Sequence, residues 1–481
     1  MAGKRKKTSK APGRPGDLAV VVLAAGLGRR MRSTRAKVLH EVAGRPMVLH
    51  VLEAAAKLDP SRSLVVVGHQ ADDVSEAVGD RAGCVLQAEQ LGTGHALSMT
   101  RAALRGFKGD LLVLAGDVPL VRTATLKRLL AKHRRTAASV TVLTTVVDDP
   151  AGYGRIVRDD DGGGLRIAED ADASTAEKRI DEINSAIYCF DARFLFRALS
   201  RLGSDNAQDE YYLTDVVEMA SRRSAAATVV AADETEVLGV DSRAALASAE
   251  ALMQERLISG WMDKGVTFVD PASVHLSVDT TIGRDTVIGP QVKLDGATRI
   301  GRRCAIDGAC HLSETTVGDG THVRWGVVAD HASVGNDVSL GPYAHLRPAA
   351  ELADEVHIGN FVEVKKSRIG KGSKANHLSY IGDAEVGEAV NIGAGTITCN
   401  YDGFDKHRTV IGDRVQIGSD TQLVAPVEIG ADSYIAAGST VSSDVEPGSL
   451  AFNDKKQRTR KNWVKNFRKR QSKPRRGDKG S

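Results

Sequence analysis

The C-terminal half of the chain repeats an aliphatic residue followed closely by glycine at short, regular intervals. Its clearest stretch has apolar residues six positions apart, at Ile411, Ile417, Leu423, Ile429, Ile435 and Val441. A six-residue period fits neither an α-helix nor a simple strand, but it is typical of the hexapeptide β-helix. Each hexapeptide there forms one face of a triangular coil and points its aliphatic side chain at the axis. We therefore predict a left-handed parallel β-helix over residues 263–450.

The composition agrees with such a fold, because 48 glycines and only 4% aromatic residues suit many tight corners. The six-residue register breaks in two places, near residues 343–357 and at residues 398–409. Loops ejected from a repeat scaffold often carry function. The second break is rich in polar side chains, and we expect it to belong to a site.

The N-terminal half alternates short apolar runs with amphipathic stretches. LAVVVLAAG starts at Leu18, and SLVVVGH (63–69) and DLLVLAGD (110–117) follow it. This alternation predicts an α/β domain over residues 17–241, with a parallel sheet and helices on both faces. Ligands of such sheets bind beyond the carboxyl ends of the strands. Residues 242–262 predict one linker helix.

Charge is concentrated at the two ends of the chain. The formal net charge is +4, yet residues 1–16 hold six basic side chains and no acid, and residues 451–481 hold thirteen against two acids. We interpret both ends as disordered basic tails, with nucleic-acid binding as the less favoured alternative. No apolar run is long enough to span a membrane, and the five cysteines form no CxxC pair. These features favour a cytoplasmic protein.

A glycine loop, Leu23 to Met31, follows the first predicted strand, and Lys37 comes shortly after it. Glycines let backbone N–H groups approach phosphate oxygens, and a lysine can neutralise phosphate charge. The spacing is that of neither a Walker loop nor a dinucleotide fold. Taken alone, the loop is also compatible with an ordinary strand–helix turn. Similarly, Asp117 at a strand end is either a metal ligand or a helix cap.

The surrounding letters are more specific. LAAGLGRRM and KVLHEVAGRPM resemble the signature of sugar-phosphate nucleotidyltransferases. QAEQLGTGHA (87–96), AGDVPL (115–120), GYGRIVR (152–158) and EINSAIY (182–188) then match the N-acetylglucosamine-1-phosphate uridylyltransferases in order. The resemblance implies a Rossmann-like nucleotidyltransferase domain. It would transfer a uridylyl group from UTP to N-acetylglucosamine-1-phosphate, releasing pyrophosphate and using Mg²⁺.

The same resemblance assigns roles to individual residues. Gln87 would read the base edge, Glu169 and Asn184 would hold the sugar, and Asp117 and Asp241 would bind the metal. The implied contacts to UTP or the product are Leu23, Ala24, Ala25, Gly26, Lys37, Gln87, Gly92, Thr93, Ala115, Gly116, Asp117, Gly154, Glu169, Asn184 and Asp241. The chain departs from the family at Arg29, usually Thr or Ser, at Ala36, usually Pro, and at Asp241, usually Asn.

Residues 360–409 resemble the acetyltransferase half of the bifunctional enzymes of UDP-N-acetylglucosamine synthesis. An ammonium group cannot attack acetyl-coenzyme A, so a base must take its proton. The resemblance implies His377 for this role, oriented by Glu363. It also implies contacts to glucosamine-1-phosphate from Arg347, Lys365, Tyr380, Asn391 and Lys406. The implied acetyl-coenzyme A contacts are Ala394, Asn400, Tyr401, Ser419 and Ala437, of which Asn400 and Tyr401 also lie beside the sugar.

One mismatch concerns coenzyme A, because Asp454 stands where some relatives have arginine. Lys455, Lys456 and Arg458 are the candidate replacements. The family further implies a homotrimer whose acetyltransferase sites lie between subunits, and a product used in peptidoglycan synthesis.

Two other functions remain as alternatives. One is a different sugar nucleotidyltransferase fused to a non-catalytic β-helix, and the other is a non-catalytic assembly subunit with the same domain pair. His377, Lys365 and Tyr380 together disfavour the first alternative, and Asp117, Lys37 and His377 disfavour the second.

Overall fold

The computed structural model describes residues 17–159, 164–231, 233–454 and 456–471. The predicted tail at residues 1–16, residue Lys455 and the last ten residues lie outside this part. The chain divides into two compact units. The first ends at Thr281 and also takes in Pro290–Thr298, and the second comprises Ile282–Gly289 and the chain from Arg299 onward.

A mixed sheet forms the centre of the first unit. Its order is β11-β7-β10-β6-β1-β4-β5, with β8 and β9 joined to β10, while β2 and β3 form a separate ribbon. The strands are β1 Leu18–Ala24, β2 Glu41–Val42, β3 Arg45–Pro46, β4 Arg62–Val67, β5 Gly83–Leu86, β6 Asp110–Ala115, β7 Val140–Val146, β8 Arg155–Arg158, β9 Leu165–Ala168, β10 Glu182–Asp191 and β11 Ala226–Val230. The predicted parallel pairing holds for β6, β1, β4 and β5. The sequence pattern missed β10, which runs antiparallel between β6 and β7.

Helices cover both faces of this sheet. They are α1 Met47–Ala56, α2 Ala71–Val78, α3 Thr93–Ser98, α4 Thr123–Thr136, α5 Ala192–Leu199 and α6 Asp215–Ser221. A further helix, α7 Arg243–Met262, packs in a separate apolar cluster with Val42 of β2. Val20 and Val22 on β1 enter one apolar cluster, and Ala19 and Val21 enter another on the opposite face. This burial on both faces explains why β1 is an unbroken apolar run rather than an alternating one.

Helix α7 is the predicted linker helix, and it begins with a cap. Ser242 Oγ accepts a hydrogen bond from Ala245 N at 3.1 Å. Further along, Gln254 is buried, and its side-chain amide bonds to both the C=O and the N–H of Leu276. Gln254 Nε2 donates to Leu276 O, and Leu276 N donates to Gln254 Oε1, each at 2.8 Å. The side chain thus hydrogen-bonds as a neighbouring strand would.

The C-terminal half folds as a hexapeptide β-helix, in which parallel strands stack into three sheets. The first sheet contains Thr267–Phe268, Val287–Ile288, Ala305–Ile306, His322–Val323, Ser339–Leu340, His357–Asn360, Lys374–His377, Asn391–Ile392, Gln416–Ile417, Tyr434–Ile435 and Leu450–Ala451. The second contains His275–Leu276, Lys293–Asp295, His311–Ser313, Val328–Asp330, His345–Leu346, Glu363–Lys365, Tyr380–Gly382, Ile397–Cys399, Gln422–Val424 and Thr440–Val441. The third contains Thr281–Ile282, Arg299–Ile300, Thr316–Val317, Ser333–Val334, Glu351–Leu352, Arg368–Ile369, Ala384–Val386, Thr409–Ile411 and Val427–Ile429.

The repeat of the sequence has a direct structural cause in these coils. Aliphatic side chains such as Leu346, Val364 and Ile381 fall in register on successive strands and are fully buried. Glycine follows where the next coil approaches most closely. At Gly359, for example, a Cβ atom would overlap the carbonyl oxygen of Asn376. The predicted fold class is therefore confirmed, with a Rossmann-like domain followed by a hexapeptide β-helix.

The two predicted register breaks have different outcomes. The chain near residues 343–357 stays within the coils, because His345–Leu346 and Glu351–Leu352 keep their parallel partners. Residues 400–408 do leave the coil, between Ile397–Cys399 and Thr409–Ile411. Tyr401 and Lys406 form an antiparallel bridge across this ejected loop.

The chain beyond the coils carries one further helix, α8 Trp463–Gln471, where Trp463 and Phe467 stack with ring centroids 5.0 Å apart. Among the described residues, no helix combines the length and apolarity needed to cross a membrane. All five cysteines are free thiols, and Cys189, Cys304 and Cys310 are buried.

Candidate active sites

A cavity of about 660 Å³ opens in the first unit at the carboxyl ends of β1 and β6. It gathers most of the residues that the sequence assigned to the nucleotide sugar. Those that line it are Leu23, Ala24, Ala25, Gly26, Lys37, Gln87, Gly92, Thr93, Ala115, Asp117, Gly154, Glu169 and Asn184. Arg29, at one of the family departures, lines it as well. Of the predicted residues, only Gly116 and Asp241 are outside the lining.

The glycine loop packs closely on the turn that carries Lys37. Gly28 has a φ of +60°, and a Cβ atom there would lie 2.8 Å from Lys37 Cβ. Such a backbone conformation and such a contact are both available only to glycine at low cost. Gly116 is similarly constrained, because its N–H donates to Leu23 O at 2.9 Å. The glycine loop is therefore fixed relative to Lys37, and Gly116, at the end of β6, is fixed relative to β1.

Two ion pairs join basic side chains at positions 30 and 37 to the two predicted metal ligands, and of these pairs Lys37–Asp117 lines the cavity. Lys37 Nζ pairs with Asp117 Oδ2, and both side chains are about four-fifths buried. Arg30 Nη2 pairs with Asp241 Oδ2 at 2.7 Å. Val240 N donates to Asp117 O at 2.9 Å, which brings the segment carrying Asp241 to the strand-end loop. Sequence reasoning missed Arg30, although it lies inside the quoted motif.

The residues present suit a magnesium ion. Burial, and then the negative charges of Asp241 and Asp117, raise the pKa of the Tyr153 phenol, although a hydrogen bond with Gly239 opposes them. The hydrogen bond from Val240 N to Asp117 O places the residue before Asp241 against Asp117. Carboxylate oxygens are the ligands that Mg²⁺ prefers. No group of three or more acidic, His or Cys side chains in the described ranges could hold a metal. Substrate phosphates would therefore have to complete the coordination.

Gln87 is held firmly where the base is expected. It is buried, its Nε2 donates to Gly92 O at 3.2 Å, and the same nitrogen lies 3.0 Å from His95 Nδ1. His95 is a second positioning side chain that the motif contained but that sequence reasoning did not single out. The amide of Gln87 is thereby oriented before any ligand arrives.

The opposite wall of the cavity is formed by acidic and amide side chains. Glu169 Oε1 accepts from Thr214 Oγ1 at 2.9 Å, and burial raises the pKa of this carboxyl. Asn184 Nδ2 donates to Tyr188 Oη at 2.7 Å. Ala186 stands between them in a bulge with a φ of +58°, and its N–H donates to Asn184 Oδ1 at 3.1 Å. These groups offer hydrogen bonds of both kinds to a polyhydroxylated ring.

A second site lies on the β-helix around His377. Its Nδ1 is 3.0 Å from Oδ1 of Asn360, which is its register partner on the preceding coil. The expected orienting residue, Glu363, instead accepts from Arg347 Nη1 at 2.9 Å. The structure therefore differs from the prediction here. Arg347 engages the carboxylate of Glu363, while the parallel register places Asn360 beside His377.

Lysine side chains converge near this histidine. Interaction with Lys365, first as a hydrogen bond and then as a like charge, lowers the pKa of Lys406. Two ammonium groups held this close are suited to an anion that neutralises both. A cavity of about 520 Å³ adjoins Lys406 and is also lined by Lys366, Arg368 and Arg408. Lys406, one of the two predicted phosphate contacts, lines this cavity, and Lys365 is the largest cause of its lowered pKa.

The remaining predicted residues fall into two groups. Tyr380 and Asn400 adjoin, with Asn400 Nδ2 donating to Tyr380 Oη at 3.4 Å and to Asp383 Oδ2 at 2.5 Å. The small residues form a line instead. Asn391, Gln416 and Tyr434 are register partners, so Ala394, Ser419 and Ala437, each three positions later, recur once per coil. Asp454 follows the last strand, and of its basic neighbours Lys456 and Arg458 are described.

Two family models match the chain. A MobA-like NTP transferase domain matches residues 20–264, and a bacterial transferase hexapeptide model of six repeats matches residues 408–443. The first covers most of the unit with the 660 Å³ cavity, and the second covers coils that follow the ejected loop.

Similar proteins extend over almost the whole chain. The bifunctional protein GlmU of Pelobacter propionicus is 50% identical over 451 residues, covering 93% of this chain and 98% of that protein. Bifunctional protein GlmU of Trichlorobacter lovleyi is 50% identical and covers 92% and 97% respectively. Bifunctional protein GlmU of Heliobacterium modesticaldum is 49% identical with the same coverage.

Proposed function

This chain belongs to the family of bifunctional GlmU proteins, and on that premise we propose which of its residues carry each reaction. It is an enzyme with two transferase activities. It transfers acetyl from acetyl-coenzyme A to glucosamine-1-phosphate, and it transfers a uridylyl group from UTP to N-acetylglucosamine-1-phosphate. The products of the second reaction are UDP-N-acetylglucosamine and pyrophosphate. Nothing found favours either alternative function.

The 660 Å³ cavity is the uridylyltransferase site, and the arrangement of charge along it carries this assignment. Lys37 lines the cavity beside Asp117, where phosphates would lie, and Glu169 and Asn184 line it where hydroxyls of the sugar would lie. Arg30 pairs with Asp241, the other proposed metal ligand. Phosphoryl transfer needs little covalent chemistry from the protein and depends on alignment and charge stabilisation. The cavity aligns the sugar phosphate for in-line attack, and Lys37 offsets charge that develops on the α-phosphate.

Asp117 and Asp241 would hold Mg²⁺, which would neutralise phosphate charge when bound. In the free protein Lys37 and Arg30 balance these same two carboxylates. Binding of UTP with its metal would release both cations toward the phosphates. The departure at position 241 replaces an amide with a carboxylate, which adds negative charge and keeps an oxygen ligand.

His377 is the base of the acetyltransferase site, and its contact with Asn360 carries this assignment. An amide oxygen only accepts hydrogen bonds, so the ring nitrogen that faces it, Nδ1, must carry the proton. The other nitrogen, Nε2, is then an acceptor, as removal of a proton from the substrate amine requires. Lys365 and Lys406 hold the phosphate, and Arg347, Tyr380 and Asn391 complete the sugar pocket.

The small residues Ala394, Ser419 and Ala437 give the pantetheine arm of coenzyme A a path along the coils. Lys456 and Arg458 would serve its phosphates where Asp454 replaces the arginine of relatives, together with Lys455 outside the described ranges. We also propose the domain limits 17–241, 242–262 and 263–450, with tails at 1–16 and 451–481. Free thiols support a cytoplasmic location, and the product would supply peptidoglycan synthesis.

Two half-reactions on purified protein with Mg²⁺ test the assignment. Glucosamine-1-phosphate with acetyl-coenzyme A should release free thiol, and N-acetylglucosamine-1-phosphate with UTP should release pyrophosphate. We expect His377→Ala to lower only the first activity and Asp117→Ala to lower only the second, each by at least about 10²-fold.

The controls lie within the same molecule, since each variant should keep the activity of the other site. Wild-type protein that released no thiol would remove the acetyltransferase claim. A His377→Ala variant with full acetyltransferase activity would show that another group is the base.

A further inference from the structure

The ejected loop of the β-helix has an internal structure that the two reactions do not explain. Asn400, Tyr401 and Lys406, to which the proposed function gives substrate contacts, all lie on it. Asn400 is buried at the base of the loop, where His407 N donates to Asn400 O at 2.8 Å, whereas Tyr401 is 60% exposed. At the tip Phe404 is 91% exposed and so gives the loop no packing of its own. Something other than apolar burial must therefore hold its shape.

The carboxylate of Asp402 holds the loop in its observed conformation. Asp402 Oδ1 accepts hydrogen bonds from Phe404 N and from Asp405 N, both at 2.8 Å. Its other oxygen, Oδ2, lies 2.7 Å from His407 Nε2. Asp402 thus joins the tip of the loop to the strand that returns to the coil. These contacts keep the pKa of Asp402 well below its usual range, with the His407 contact as the largest cause.

The three contacts fix the positions of the substrate residues on either side. Tyr401 and Lys406 are bridge partners, with Tyr401 directly before Asp402 and Lys406 between two of the residues that Asp402 contacts, Asp405 and His407. Tyr401 Oη donates to Gly403 O at 2.7 Å inside the same turn. If the turn opened, the separation of Lys406 from Lys365, and of Tyr401 from Tyr380, would no longer be defined.

We propose that Asp402 is a positioning residue of the acetyltransferase site, which holds the ejected loop in its substrate-binding form through Phe404 N, Asp405 N and His407. The proposal rests on the proposed function of Lys406 and Tyr401. The proposed function gives Asp402 itself no substrate contact. It raises the fraction of molecules whose loop is competent to bind, and apparent affinity scales with that fraction.

Kinetics of full-length variants test the proposal. Asp402→Ala removes all three contacts, and we expect KM for glucosamine-1-phosphate and for acetyl-coenzyme A to rise by about ten- to a hundredfold. The value of kcat at saturation should change less than about threefold, because His377 is outside the loop. Asp402→Asn keeps an oxygen for the two backbone N–H groups and should recover most of the affinity.

Asp405→Ala is the matched control, because it removes the same charge from the same loop. In the described ranges the Asp405 carboxylate has no hydrogen bond or ion pair, so both KM values should stay within about twofold. Pyrophosphate release should be unchanged in every variant, since its residues are in the first unit. An equal rise in KM for both variants would make charge, rather than loop structure, the cause and would overturn the proposal.

Amide hydrogen exchange supplies a readout that needs no activity. The N–H groups of Phe404 and Asp405 should exchange faster in Asp402→Ala than in wild type, and Asp405→Ala should leave Phe404 protected. Wild-type protein without thiol release would contradict the proposed function alone. Unchanged exchange at Phe404 together with unchanged KM in Asp402→Ala would contradict the positioning role alone.

Discussion

At the scale of single residues, the packing of the glycine loop, Leu23 to Met31, depends on the absence of a side chain at Gly28. The Cβ position of Gly28 is already occupied by the neighbouring Lys37 side chain, and the φ of +60° favours glycine again. Sequence reasoning assigned this glycine to phosphate approach, which the letters alone allow. It had no means of seeing that the same residue also sets the position of Lys37, because that depends on how two separate turns pack.

Gly28→Ala should therefore damage uridylyl transfer through Lys37. A displacement of catalytic groups by about 1 Å can cost about 10²-fold in rate, and we expect kcat/KM for UTP to fall by that order. Thiol release by the acetyltransferase site should not change.

Gly203→Ala is the control for that substitution, because a Cβ there has no atom within 4 Å and Gly203 has no left-handed φ. It should leave both activities intact. Normal pyrophosphate release in Gly28→Ala would show that the contact with Lys37 relaxes without consequence.

At the scale of elements, the six-residue period predicted the β-helix because each repeat makes the same contact with the axis. In the first unit, the alternation of apolar runs and amphipathic stretches did not predict β10. Its antiparallel direction is set by pairing with β6 and β7 rather than by its own sequence. The orienting partner of His377 was likewise missed. Asn360 precedes His377 by 17 residues, which is one coil, so the partner follows only once the register is known.

Leu423→Ala should measure how much one axis-facing side chain stabilises the coil. Leu423 is fully buried, and truncation of a buried leucine costs about 2–5 kcal/mol in free energy of unfolding. Chemical denaturation followed by circular dichroism would report the loss.

Val424→Ala is the matched control, since Val424 follows Leu423 on the same strand but is 37% exposed. Its effect should stay below about 1 kcal/mol. Equal effects of the two substitutions would mean that alternation along this strand does not separate core from surface.

At the scale of the whole molecule, an exposed apolar column runs along the coils of the second unit. Trp325, Tyr343, Phe361 and Leu378 occupy successive turns, and Phe361 and Leu378 directly follow Asn360 and His377 in sequence. Contiguous apolar surface of this kind marks an interaction site. A neighbouring copy that covers the column would also approach the proposed acetyltransferase base, in keeping with the homotrimer that the family resemblance implies.

Light scattering should give wild-type protein three times the mass of one chain. Phe361→Asp should reduce the mass to that of one chain and lower thiol release, because a charge placed in a buried apolar interface is unfavourable. Leu86→Asp is the control, since Leu86 on β5 is 58% exposed against 57% for Phe361. If Phe361→Asp stayed trimeric, the column would not be the interface.

The first coil of a solenoid has an edge strand with unpaired backbone groups, and such edges invite another molecule to add its own strand. Here the side-chain amide of Gln254 forms hydrogen bonds with both the N–H and the C=O of Leu276, which lies on such an edge strand. A single glutamine on the linker helix thus caps the exposed edge of this strand at Leu276. At Leu276 this edge therefore offers no free N–H or C=O with which a further strand could pair.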